Sequence, residues 1–395
     1  MRTWLAAALG LLLAACGGAR PDASRELDCA AGAAFYALSG TPNLPRVSRG
    51  PLRMAWNAEP STRPSGQDGG AAVVSGFAAP GSALFDVVVL VDVSLSTREP
   101  SGADLNDNFG EGRALADVVR GASSAPTFRR LDPGDSILVA ELRAAEALLQ
   151  RLDPARSRVG VVTFSGASGR NKPDAVLFQS PTNDFERVRQ AFAEIELDDP
   201  IGFSHTAAGV TTALRTLTQR ASGPPARRIV MLLTDGEPTL PFGQPLKTDP
   251  ADVEATIRAA CAARAEDTGI FSLGFGEELE DGAPTAEALA RVTGGRYQRV
   301  AKPNQIPDIV AGTSFTGIQK VVVENLSYAK IAPMNAGVGP DGAFRGEIDL
   351  RTGPNRIRVT ATGEDGQQVQ SERIVEFLPA TLSTGTPSPF SSTAR

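Results

Sequence analysis

A single histidine, His205, stands in a chain of 395 residues. Zinc sites built on paired histidines and hydrolases built on a Ser-His-Asp triad therefore have almost nothing to work with. Cysteine is nearly as scarce. Cys16, Cys29 and Cys261 make no disulfide scaffold, and after Cys16 the remaining two either pair or stay as free thiols. Basic residues do not outnumber acidic ones, with 39 Lys and Arg against 45 Asp and Glu, and nothing suggests a nucleic-acid footprint, which would need a clustered basic face. Long apolar runs are missing too: the segment from Trp4 to Leu13 is too short to span a bilayer comfortably, and no later stretch is long and apolar enough.

What is present begins at the amino terminus. Arg2, the apolar segment from Trp4 to Leu13, and then Leu13-Ala14-Ala15-Cys16 followed by two glycines read as an export signal. The Leu-Ala-Ala-Cys ending resembles the lipobox of bacterial lipoproteins. The resemblance implies a signal peptide over residues 1–15 and a lipid on Cys16, anchoring the protein in the cell envelope (outer membrane, periplasmic or surface-exposed face), and leaves open which membrane holds the lipid. Residues 16–83 shift to Gly, Ala, Pro and Ser without sustained periodicity and are expected to be a largely disordered tether. Within them, residues 34–57 carry Phe35, Tyr36, Met54 and Trp56, enough apolar surface to dock as an extra strand.

The stretch from Leu84 to Thr97, LFDVVVLVDVSLST, has the continuous apolar run of a strand buried on both faces of a parallel sheet. It ends in Asp92, Ser94 and Ser96 at alternate positions, one carboxylate and two hydroxyls on the loop leaving the strand. Open α/β sheets keep their ligands at that carboxyl edge, so hard oxygen ligands there predict a divalent cation site. Further buried strands follow at RVGVVTF (158–164), RIVMLLT (228–234) and 269–275, alternating with helical spacing at 137–152, 206–219 and 252–265. Such alternation predicts a doubly wound, mainly parallel α/β sheet with right-handed crossovers. Residues 98–135, rich in Gly, Asp, Asn and Arg, are too long for a plain connection and form an insertion: a lid, a partner-specificity loop or a disordered stretch.

From Gly317 the pattern changes to short alternating segments separated by GPDG, TGPN and GEDG. These are turn signals, and they predict a small antiparallel, β-sandwich-like domain over 316–379. The phrase GAFRGEIDLRTGPNRIRVTATGEDG resembles bacterial immunoglobulin-like modules of the cell envelope. Residues 380–395, rich in Ser, Thr and Pro, are expected to be disordered.

Two more segments bear on the cation site. Thr206 opens a helix after a loop, and Asp235 directly follows RIVMLLT in TDGEPT. Asp92-x-Ser94-x-Ser96, Thr206 and Thr234-Asp235-Gly236, in this order and setting, resemble the von Willebrand factor type A (VWA) domain and its metal-ion-dependent adhesion site (MIDAS). The resemblance covers residues 84–315. It implies a Rossmann-like fold and a Mg²⁺ ion, or Mn²⁺ or Ca²⁺, held by Asp92, Ser94, Ser96, Thr206 and Asp235. It also implies a protein partner whose acidic side chain completes the metal shell. Two departures stand out: Ser204-His205 precede Thr206 where many members carry glycine, and the insertion separates the serines from their helix. His205, adjacent to Thr206, is a candidate for a role at the rim of the expected site. Inside the insertion, Asp104-Leu105-Asn106-Asp107-Asn108 resembles the opening of an EF-hand calcium loop, but Phe109 and Leu115 stand where that loop needs glycine and glutamate.

The leading expectation is a lipid-anchored, non-enzymatic envelope protein that binds a protein partner through the cation. A structural subunit in which the metal only stabilises the fold is the alternative. A metal-dependent hydrolase ranks last, since no general base stands out near the site and the family it resembles is predominantly non-catalytic.

Overall fold

The computed structural model describes Cys29 and residues 51–57, 60–65, 69–81, 84–106, 133–166, 173–198, 200–219, 225–242, 248–276 and 283–378. The expected signal peptide, the expected lipidation site Cys16, residues 107–132 of the insertion and the 380–395 tail lie outside the described residues.

In chain order the strands and helices are β1 (Leu52–Trp56), β2 (Ser61–Pro64), β3 (Gly69–Pro80), β4 (Phe85–Asp92), α1 (Ile137–Leu149), β5 (Ser157–Phe164), β6 (Ala175–Thr182) and α2 (Phe185–Leu197). They continue with α3 (Thr206–Thr218), β7 (Arg227–Thr234), α4 (Pro250–Ala265), β8 (Thr268–Phe275), α5 (Pro284–Thr293), β9 (Tyr297–Val300) and α6 (Ile306–Gly312). Last come β10 (Ile318–Asn325), β11 (Met334–Val338), β12 (Ala343–Arg351), β13 (Gly353–Gly363) and β14 (Gln368–Phe377).

All eight residues of β4 are buried, because this strand lies in the middle of a six-stranded sheet of order β6-β5-β4-β7-β8-β9. Every pairing is parallel except that of the edge strand β6. Side chains alternate across a strand. Val87, Val89 and Val91 accordingly pack with α1, α2 and α6, while Val88 and Leu90 pack with α3, α4 and α5. The chain steps from β4 to β5 on one side and later to β7 on the other. The strand order therefore reverses at β4, and the crevice of the sheet opens between the carboxyl ends of β4 and β7.

The second domain departs from the expected boundaries. Residues 52–80 are not a tether: β1, β2 and β3 join β10–β14 in an eight-stranded antiparallel sheet of order β1-β3-β12-β11-β10-β13-β14, with β2 also paired to β3. β3 runs the length of β12, from Phe77 opposite Ala343 to Gly69 opposite Arg351. The extra strand expected within 34–57 exists as β1, on this sheet rather than the parallel one. The sheet curls until its two edges meet, where Trp56 Nε1 donates to Ser371 Oγ at 2.9 Å and the Arg373 guanidinium lies 5.1 Å from the Trp56 ring. The Gly and Ala content that looked like linker composition is a packing requirement. A Cβ on Gly76 would stand 2.2 Å from the Ala55 carbonyl oxygen and 2.7 Å from the Phe344 ring. The α/β domain is thus inserted between β3 and β10 of the antiparallel one.

Buried polar contacts join the two domains at the amino ends of the parallel strands. Asp341, fully buried, accepts from Asp153 N and Ser157 Oγ, both at 2.9 Å. Arg227 Nη2 donates to the Phe315 carbonyl at 2.7 Å, and the Arg156 guanidinium stacks 3.4 Å from the Phe77 ring centroid. The antiparallel domain thus sits at the pole opposite the crevice. Cys29 and Cys261 form a disulfide, Cα–Cα 5.5 Å, fastening the N-terminal segment to α4. Among the described residues no helix is long and apolar enough to cross a membrane.

Candidate metal centre

β4 ends at Asp92, whose carboxylate is fully buried and held from two sides. Its Oδ1 accepts from Ser94 N at 2.9 Å, and its Oδ2 accepts from Thr234 Oγ1, the last residue of β7, at 2.9 Å. The chain then tightens into a short 3-10 turn, Leu95–Arg98, pinned by Thr97 Oγ1 donating to the Ser94 carbonyl at 2.9 Å. That turn places Ser94 Oγ and Ser96 Oγ 3.1 Å apart on one side.

The loop before α3 closes on this turn. Leu95 N donates to the Gly202 carbonyl and Ile201 N to the Val93 carbonyl, each at 3.0 Å. Gly202 adopts φ +84°, and a Cβ there would stand 2.1 Å from the Gly166 carbonyl oxygen. The room that a glycine next to the threonine would give is thus supplied two residues before Ser204. Ser204 Oγ donates to Ser94 Oγ at 3.1 Å, and Ser204 N donates to Thr239 Oγ1, also at 3.1 Å, tying in the loop after β7. Ser204 thereby joins the site as a residue that sequence reading noted only as a departure. Its signal was its place next to the expected Thr206.

Thr206, at the first turn of α3, is 3% exposed, and its Oγ1 is buried with no hydrogen-bond partner. Asp235 Oδ1, on the loop after β7, is likewise buried and unpartnered. Burial pushes the Asp92 carboxyl up to about 6 against the hydrogen bonds it accepts. Burial, and then the charge of Asp92, hold Asp235 well above the usual carboxylate range, with the Ser96 hydroxyl opposing. The five expected residues are therefore gathered from three loops at the carboxyl ends of β4 and β7. Two carboxylates and three hydroxyls crowd together, and two of those groups carry orphaned buried oxygens. Such a set, charged, dehydrated and rich in hard oxygens, suits a divalent cation that accepts neutral hydroxyls beside one or two carboxylates. Among the described residues, no three His, Cys, Asp or Glu side chains form a metal cage by themselves.

His205, next to Thr206, has its Nδ1 2.8 Å from Asp174 Oδ2 on the segment before β6. Glu237, two residues after Asp235, caps α5 by accepting from Thr285 N at 3.0 Å and from the Thr285 hydroxyl, which braces the loop. In the insertion, Asp135 Oδ1 accepts from Leu105 N at 2.7 Å, so this aspartate closes the loop's base. The rest of the calcium-like stretch, from Asp107 onward, lies outside the described residues.

A doubly wound α/β domain with an oxygen-lined crevice at its switch point is the class that fold and geometry define. The family comparison agrees: the von Willebrand factor type A domain model matches residues 134–311, so the chain carries a VWA domain. The match begins beyond Ser96, and it is the structure that sets β4 between the matched strands β5 and β7. No curated protein matches the chain. Among solved structures, the chain is similar to a von Willebrand factor type A protein from Catenulispora acidiphila, with 15% identity, 84% of this chain and 74% of that one covered, and a TM-score of 0.37. It is similar to an aerotolerance-related membrane protein from Bacteroides fragilis at 16% identity, covering 57% of this chain and 96% of that one, TM-score 0.38. It is also similar to the pilus adhesin SpaC from Lactobacillus rhamnosus GG at 14% identity, covering 85% of this chain and 48% of that one, TM-score 0.41.

Proposed function

We propose that this chain is a lipid-anchored cell-envelope protein that binds a protein partner through a divalent cation, Mg²⁺ or in its place Mn²⁺ or Ca²⁺, at the carboxyl edge of its VWA domain. The observation that carries the reading is the pair of orphaned oxygens, Thr206 Oγ1 and Asp235 Oδ1, buried beside Asp92, Ser94 and Ser96. A buried hydroxyl or carboxylate with no partner costs roughly 1–3 kcal/mol, more for a charge. In this reading the cation is the missing partner. Ser94, Ser96 and Thr206 hold it through hydroxyls, while Asp92 and Asp235 balance its charge.

When bound, the cation supplies a coordination position for a carboxylate of the partner. The chain's own residues set the geometry. Thr234 and the Ser94 amide fix the Asp92 carboxylate, and Ser204 fixes the Ser94 hydroxyl. With only two carboxylates among the five ligands, the ion remains electron-poor enough to attract an acidic side chain. In this reading a lipid on Cys16 holds the protein from its N-terminal segment, which the disulfide of Cys29 ties to α4.

The test is capture of a partner from envelope extract by the full protein in Mg²⁺ and in EDTA, with Asp235→Ala alongside. Capture that needs Mg²⁺ and is lost in the folded variant supports the reading. Capture indifferent to both would overturn it in favour of a structural role.

A further inference from the structure

One carboxylate near the site has no place in the five-residue set. Glu141 lies in the middle of α1, fully buried, and neither of its carboxyl oxygens has a hydrogen-bond partner. Ile137, Ala144 and Leu148, four before and three and seven after it, are all buried apolar residues. That spacing places Glu141 on the core stripe of the helix, where an apolar side chain is the rule and an unpaired acid is the informative exception. Left unpaired, it is a cost that a leucine or methionine would not incur.

The helix's placement says where the carboxyl points. α1 begins at the carboxyl edge of the sheet: Ile137 N donates to the Glu99 carbonyl just after the serine turn, and the Ile137 side chain reaches Gly276, the residue after β8. Side chains in a helix tilt toward its amino terminus, so Glu141, one turn in, leans up toward that edge. Burial, then the charges of Asp92 and Asp235, push its carboxyl well above the usual carboxylate range, and the Asp92 backbone amide is the one donor that opposes them, without reaching hydrogen-bond geometry. Among the described residues no other group supplies its oxygens with a donor. A hydrated divalent cation carries both things they lack, positive charge and water donors.

Resting on the reading of this crevice as a cation site, we infer that Glu141 is a third carboxylate of that site. It stands behind Asp92 and Asp235 and balances the ion's charge from outside the direct ligands, so that the buried acid and the cation stabilise each other. Because no three acidic side chains here form a cage, its role is to position and strengthen the site rather than to ligate.

The experiment is Mn²⁺ binding by the full chain, followed by titration calorimetry and by electron paramagnetic resonance of the free ion, with melting measured in EDTA and in saturating Mg²⁺. Wild type is compared with Glu141→Gln and Glu141→Met. Outer partners of metal ligands typically contribute about 10–100-fold in affinity, so Glu141→Gln is expected to weaken Mn²⁺ binding at least about tenfold. Glu141→Met fills the same volume without an unpaired acid. It is expected to melt higher than wild type in EDTA and to gain less from Mg²⁺. Unchanged Mn²⁺ affinity in Glu141→Gln, with wild type binding normally, would overturn the role of Glu141 alone. Wild type that binds no Mn²⁺ would overturn the cation reading itself, and this inference with it.

Discussion

Ser204 Oγ donates to Ser94 Oγ at 3.1 Å across a separation of 110 residues in the chain. This bond joins the loop before α3 to the turn after β4, so the two outer segments of the candidate centre are set by each other. Ser204→Ala removes the donor but leaves the ligands in place. The loss is expected to cost about 0.5–1.5 kcal/mol in urea unfolding and to weaken Mn²⁺ binding without abolishing it.

Thr206 offers a test in which two readouts move in opposite directions. Thr206→Val keeps the shape and deletes an orphaned hydroxyl, so the cation-free protein is expected to hold or gain stability, by up to about 1–3 kcal/mol. Cation binding is expected to fall sharply. Measuring unfolding in EDTA beside calorimetric Mn²⁺ titration checks both, and a stability loss without a binding loss would remove Thr206 from the site.

The domain junction carries a pH signature. Burial raises the Asp341 carboxyl above its ordinary value of 3.8, against the donors Asp153 N, Ala343 N and Ser157 Oγ. Between 3.8 and the raised folded value, the folded protein holds a proton that the unfolded chain has lost, so this group makes stability fall as pH rises. Asp341→Asn lacks that fall. Its destabilisation relative to wild type is therefore expected to be larger at pH 4 than at pH 7. Urea denaturation at the two pH values decides, and a cost growing with pH would reverse the sign.

The Cys29–Cys261 disulfide closes a long loop between the N-terminal segment and α4. Cys261→Ser is expected to lower stability by about 2–5 kcal/mol and to leave the melting temperature indifferent to reductant. Wild type should lose stability on reduction. Thermal melts with and without reductant compare the two.

In the antiparallel domain, Gly76→Val places methyl groups against the Ala55 carbonyl, a backbone atom that cannot step aside. A cost of at least about 1–3 kcal/mol is expected by urea unfolding, with the VWA domain still taking up Mn²⁺.

Much of the centre was legible because its chemistry is local. FDVVVLVD is apolar on both faces because β4 is covered on both, and Asp92, Ser94 and Ser96 sit at alternate positions that a single turn gathers. Thr206 and Asp235 could be read from their places at a helix start and a strand end. Two things were not legible in this way. GGAAVVSGFAAP has the composition of a linker, and only its pairing with β12, some 270 residues later, makes it a buried strand of small residues. Glu141 reads as an ordinary polar residue of an amphipathic helix until α1 is laid on β4.

The sequence by itself determined the doubly wound sheet, the candidate residues proposed for the cation site and the change of pattern at Gly317. Each of these rests on periodicity or on side-chain chemistry within a short window. Only the tertiary structure decided that β1–β3 complete the C-terminal domain, that Cys29 reaches Cys261, that Ser204 bonds to Ser94, and that Glu141 is buried on α1. Strand pairing, disulfide closure and burial of charge depend on which distant segments meet, and no local pattern encodes that.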